Sequence, residues 1–278
     1  MWALLTKAVN GWLRHKNARF GAALAYYSVF SLGPLLLIVT AVAGLFFGAE
    51  AARRSITSQF RSMLGDIGSQ AVEAMLKGAE SATGGGWTAM LGIALLVVAA
   101  LAVVVQLRDA LNTIFECEEP ADAGIAWYAK VYALSFAGIL ALGFLLAVSL
   151  IVSAALAAVS VWLSGSAVES ALLTLLNFAV SLAVLTLLFS VLFKWLPDRQ
   201  LAWRDVWLGG FVTALLFNIG KSAIAWYIGT QGFESTYGAA ASIVVLLIWV
   251  YYSAQIVLFG AELTQAYAAR KTADERHA

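Results

Sequence analysis

Six stretches of this chain, at about residues 20–48, 87–107, 131–163, 168–193, 206–229 and 239–268, are continuous apolar runs of membrane-crossing length. A bilayer core about 30 Å thick needs roughly 20 apolar residues of helix to cross it. Inside that core every backbone donor and acceptor must be satisfied within the segment or by a closed barrel. The runs do not alternate apolar with polar residues, so helices are predicted rather than barrel strands. Composition agrees, with 62% of residues hydrophobic and 12% charged, against about 25% charged in an ordinary soluble domain. The predicted fold class is all-α, a polytopic membrane protein of six transmembrane helices.

Three further segments flank or interrupt the spans. In residues 1–19, Trp2, Leu5, Val9 and Trp12 recur at helical spacing among Lys7, Arg14, Lys16 and Arg19. This predicts an interfacial helix, not a cleavable signal peptide, because cations interrupt the apolar positions. Residues 49–86 are too polar to span. There Ile56, Phe60, Met63, Ile67 and Met75 mark one face of an amphipathic helix, with Arg53, Arg61 and Glu73 off it. Residues 269–278 form a polar tail, and residues 20–268 the transmembrane domain. The third span is long for a single crossing and must tilt, protrude or break.

Lysine and arginine placement predicts orientation. With the N-terminus inside, the inner segments carry 12 of these residues and the outer segments four, all within 49–86. Both termini are therefore expected to be cytoplasmic.

The chemistry is narrowed by what is scarce. Of the two histidines, His15 and His277, each lies in a tail, so no metal site and no cofactor are expected. The single cysteine, Cys117, rules out an intrachain disulfide and reads as an ordinary thiol. Gly84-Gly85-Gly86 follows no strand and reads as a flexible entry to a span, not a phosphate cradle. A net charge of +1 with no clustered cationic surface argues against nucleic acid as a partner.

Polar residues inside the apolar runs are the candidates for function. Lys221 is the one charged residue deep in a run, about three or four residues past the midpoint of Val206–Gly229. A cation there costs on the order of 3 kcal/mol, so it is expected to face a partner or a wet cavity; snorkelling to the headgroups is the alternative. Gly210, Ala214, Asn218, Lys221 and Ala225 share one helical face, with Phe211, Leu215, Ile219 and Trp226 opposite. In the first span Tyr26, Tyr27, Ser28, Ser31 and Pro34 suggest a kink, which lines a cavity or serves packing, with Ser31 satisfying part of the backbone that Pro34 frees. In the sixth span Gln255 is deep enough for the bundle interior, whereas Glu262 near the inner end reads as interfacial. Arg108 and Asn112 stand one turn apart where the second helix runs into the cytoplasm, with Leu107, Leu111 and Ile114 forming a face that docks under the bundle. Lys194 near the headgroups and Pro197-Asp198 close the fourth span.

These stretches in order, Ala25-Tyr26-Tyr27-Ser28 with Ser31 and Pro34, Arg108–Asn112, Trp195-Leu196-Pro197-Asp198, Ser235-Thr236-Tyr237-Gly238, Leu247–Gln255 and Gly260-Ala261-Glu262, resemble the YihY/BrkB family of bacterial inner-membrane proteins. The resemblance covers nearly the whole chain. It implies six transmembrane helices with both ends inside, an inner-membrane location and a family associated with virulence. A ribonuclease label attached to the family finds no support in the scarce histidines.

The expected function is non-enzymatic translocation of a lipid or other amphiphile in the envelope. Lys221 and Asn218 are expected to meet an anionic head group, with hydrogen bonds from Tyr26, Tyr27 and Gln255. Pro34, Arg108, Asn112, Pro197, Asp198, Tyr237, Gly238 and Glu262 are candidates for structural or gating roles. Membrane lipids are the expected partners. No Walker motif is present, so an ion gradient or downhill exchange would drive transport. A membrane scaffold is the alternative, and a ribonuclease a remote one.

Overall fold

A computed structural model describes residues 2–81, 87–117, 167–199, 201–230 and 241–277. The third predicted span and the Tyr237-Gly238 pair lie outside the described residues. Seven helices are described: α1 (Trp2–Arg14), α2 (Asn17–Phe47), α3 (Ala49–Ser81), α4 (Trp87–Ile114), α5 (Ala167–Trp195), α6 (Trp203–Thr230) and α7 (Ala241–His277). No strand occurs among the described residues. Three stretches there are long and apolar enough to cross a membrane: Phe178–Trp195, Trp203–Ile228 and Ala241–Arg270. The first two predicted spans fall on α2 and α4.

Helix α7 is the hub, packing against α1, α2, α3, α4 and α6. Its close approach to α6 depends on small residues. A Cβ on Gly209 would overlap the Thr264 hydroxyl, and one on Gly260 would overlap that of Thr213. Each of these hydroxyls donates to its own helix, Thr213 to Gly209 O at 2.6 Å and Thr264 to Gly260 O at 2.8 Å. The polar atoms are thus satisfied without separating the helices, the packing mode that membrane helices favour. On α6, Gly210, Ala214 and Asn218 are buried while Phe211, Ile219 and Trp226 are exposed, which follows the predicted division of faces.

The N-terminal segment departs from the expected pattern. Lys16 adopts a left-handed conformation (φ 57°, ψ 43°) that separates α1 from α2. Helix α1 docks on α7 through Ala8 and Gly11, leaving Trp2, Leu5, Val9 and Leu13 exposed. Trp12, predicted to share their face, is instead half-buried against α7. Helix α2 runs as one element past Pro34. The Ser31 hydroxyl donates to Ser28 O (3.4 Å) and not to the carbonyl of Phe30 that Pro34 crowds.

The amphipathic segment within residues 49–86 is two arms rather than one straight helix. Gly65 breaks it with φ 71° and ψ −165°, a conformation open mainly to glycine. Ile56 from the first arm and Val72 and Leu76 from the second bury against Leu36 and Val39 of α2. Phe60 and Met75 reach a second cluster with Val245 and Leu246 of α7. Helix α3 therefore covers the end of the bundle opposite to α1.

Candidate functional site

Lys221 lies partly buried in a crevice between α6 and α7. Phe217 and Ile224 line it from α6; Trp249, Tyr252, Ser253 and Ile256 line it from α7. Gly220 makes this closeness possible, since a Cβ there would stand 2.8 Å from the Tyr252 ring and 2.9 Å from Ile256. Phe217 meets Trp249 edge-on, with ring centroids 6.2 Å apart. The crevice is too narrow to admit a water molecule. No described residue offers Lys221 a hydrogen bond or ion pair. Asn218, one turn earlier, is buried; its Nδ2 donates to Ala214 O (3.1 Å) and its Oδ1 has no hydrogen-bond partner.

The other residues expected around this cation are elsewhere. Tyr26 and Tyr27 are exposed on α2, where Tyr26 packs edge-on against Tyr27 and Phe30. Gln255 is engaged at the end of the bundle that holds α1: its Oε1 accepts from Trp12 Nε1 (3.0 Å) and its Nε2 donates to Asn17 O (3.3 Å).

That end holds a second polar constellation, much of it built from residues the motifs did not single out. Glu262, expected near the inner interface, is 3% exposed and packed within the protein. Its Oε1 accepts from Asn17 Nδ2 (2.8 Å) and lies 2.8 Å from His15 Nδ1. Its Oε2 faces Gly11, where any Cβ would overlap it. His15 and Asn17 are brought to α7 by the break at Lys16, so the tail histidine is a structural partner across 247 positions of sequence. Each buried polar group here needs a partner, because an unsatisfied one costs about 1–3 kcal/mol.

Beside it, the connection between α5 and α6 is clamped onto α4. Arg108, itself buried, donates to Asp198 Oδ1. Asn112 Nδ2 donates to Asp198 Oδ2 (2.7 Å), and Asn112 Oδ1 accepts from the Asp198 backbone N–H (2.9 Å). Arg199 Nη1 donates to Phe115 O (2.9 Å) and Gln265 Oε1 (3.1 Å), joining α4, the loop and α7. Leu111 and Ile114 are fully buried in the main apolar cluster, the docking predicted for that face. Pro197 is buried at the turn. Lys194 donates to Leu201 O instead of reaching only towards headgroups. Arg14 and Glu116 close the rim with an exposed ion pair at 2.6 Å.

The sequence pattern found Arg108, Asn112, Asp198, Gln255 and Glu262 but not the partners Trp12, His15 and Asn17, nor the bridge that Arg199 makes to Phe115 and Gln265. Short buried bonds between polar residues far apart in the chain leave no periodic signal. Chemically this end of the bundle is a latch of fixed donors and acceptors. Among the described residues no group of three His, Cys, Asp or Glu side chains could share a metal ion.

Comparison with known proteins fits this architecture. The family model described as virulence factor BrkB matches residues 8–278. A UPF0761 membrane protein of Pseudomonas aeruginosa is 30% identical over 252 residues, covering 89% of this chain and 58% of the relative. One from Cronobacter sakazakii is 32% identical over 249 residues, covering 87% of this chain and 80% of that protein. One from Rhodospirillum centenum is 29% identical over 268 residues, covering 91% and 56%. The chain thus spans little more than half the length of several relatives it matches. No solved structure matches it. With apolar helices of membrane-crossing length and a family match from residue 8 to residue 278, this chain belongs to the BrkB/YihY family of membrane proteins.

Proposed function

We propose that this chain is an integral protein of the bacterial inner membrane, crossing it six times with both termini cytoplasmic, and that it translocates a lipid or other amphiphile. The observation behind this reading is Lys221. A cation without a described partner sits in an apolar helix, beside aromatic rings, where it could compensate an anionic head group. Opening the crevice would require α6 and α7 to move apart, since it does not admit water when closed. The inner latch at Glu262 and Asp198 would hold the cytoplasmic ends together during such a movement.

Reconstituted vesicles carrying a fluorescent anionic phospholipid test the reading. Lys221→Met keeps the side-chain length and removes its charge, so folding should persist and flux should fall to background. Equal flux in the two proteins would remove Lys221 from the mechanism. Orientation is tested by cysteine labelling of intact cells: Ser58→Cys and Thr230→Cys should react from outside and Thr272→Cys should not. The reverse pattern would overturn the topology.

A second reading, a non-catalytic scaffold for envelope assembly, is favoured by the closed crevice. It predicts no flux from correctly folded wild-type protein. Neither reading makes the chain an enzyme; ribonuclease activity that co-purifies and disappears on mutating this chain's own carboxylates would refute both.

A further inference from the structure

The two arms of α3 border an open concavity of about 420 Å³ at the bundle end opposite to the latch. The volume lies within the range of small-molecule sites, about 300–1,000 Å³. Arg53, Arg54, Thr57, Ser58 and Arg61 line it from the first arm, with Glu50 one turn before them. These positions fall on one face of the helix, opposite Ala52 and Ile56, which bury against the bundle. Glu73 completes the lining from the second arm, brought there by the break at Gly65. Three of the four cations in α3 thus converge on one concavity, while the fourth, Lys77, does not line it.

We propose that this cavity binds a phosphate-bearing, hydroxylated head group. The arginine guanidinium presents paired donors in a plane that matches phosphate oxygens. Arg54 spends only its Nε on Glu50 O, at 3.4 Å. Arg61 pairs with Asp66 at 2.9 Å, but both side chains are exposed (66% and 74%), so a phosphate can displace that contact. Thr57 adds a hydroxyl donor; the Ser58 hydroxyl donates to Ser55 O (2.9 Å) and leaves its oxygen to accept from head-group hydroxyls. Glu50 and Glu73 disfavour a bare polyanion and offer acceptors to head-group hydroxyls. A merely solvated polar face would not need an opposing arm. The site deepens the amphiphile reading by naming the anionic group. It is tested by binding alone, so it can fail while Lys221-dependent flux persists, and the reverse.

The whole chain would be placed in phosphatidylcholine nanodiscs and titrated with dihexanoyl phosphatidylglycerol, dihexanoyl phosphatidylcholine and inorganic phosphate. Saturable binding of the phosphatidylglycerol probe is expected, weakened at least about tenfold in both Arg54→Gln and Arg61→Gln and unchanged in Lys77→Gln. The phosphatidylcholine probe should bind at least about tenfold more weakly, because its choline cation meets the arginines. Inorganic phosphate binding as tightly, with the same loss in Arg54→Gln, would assign the site to free phosphate and support an anion site. The proposal is overturned if no anionic probe saturates, if Lys77→Gln weakens binding as much as the arginine variants, or if the two lipids bind alike. The altered arginines are solvent-facing, and circular dichroism confirms that each variant folds.

Discussion

At the end of the bundle that holds α1, buried Glu262, Asn17 and Arg108 are bonded to residues far away in sequence. At the end covered by α3, the contacts that hold the arms are apolar, and the arginines look into an open cavity. The first arrangement fixes geometry, because each buried donor must keep its acceptor. The second leaves Arg54 and Arg61 exposed, where a ligand can reach them. On the proposed translocation reading, a bundle locked at one end and accessible at the other suits a crevice, between α6 and α7, that opens.

The largest expected effect breaks the latch. Glu262→Ala removes the acceptor shared by His15 and Asn17 and should cost about 3 kcal/mol, read as a lower unfolding midpoint in detergent. Arg61→Gln at the opposite end should stay within about 0.5 kcal/mol of wild type. Equal losses in the two variants would erase the contrast between the ends.

Between the ends, Gly220→Ala places a methyl group against Tyr252 and Ile256 and should cost about 1–3 kcal/mol through overpacking. It should also alter flux, since it reshapes the walls around Lys221. An unchanged midpoint together with unchanged flux would mean that the crevice yields freely.

The smallest effect concerns Cys117, half-buried just beyond the C-terminal end of α4. Burial holds its thiol above the ordinary cysteine range, with the nearby Asp198 charge adding to the rise. The thiolate fraction is therefore low at neutral pH, and maleimide labelling of native protein should be slow. It should accelerate with rising pH, and unfolding in SDS should remove the delay. A cysteine at Ser58, in the open cavity of α3, should label faster at every pH. Rapid native labelling of Cys117 at neutral pH would show that the latched end is looser than its bonds imply.

Helical class, membrane-length apolar helices and the buried face of α6 were legible in sequence, because hydropathy and a period of 3.6 residues are local properties that the backbone must obey. The face of α6 was readable from Gly210, Ala214 and Asn218 alone. The break at Gly65 was not, since a single glycine within an amphipathic run is compatible with either a straight or a bent helix. Nor was the partnership of Gln255 with Trp12: both residues announce a need for hydrogen bonds, but only packing selects who satisfies whom. His15 looked like a tail residue until the left-handed turn at Lys16 carried α1 back over α7. The same applies to the arginines of α3, whose polar face is written in the sequence while the cavity exists only because a second arm closes over it. The sequence by itself determined which segments are helical and which faces avoid water, since desolvation acts residue by residue. Only the tertiary structure decided which polar groups meet, because short-range, directional bonds depend on where distant segments come to rest.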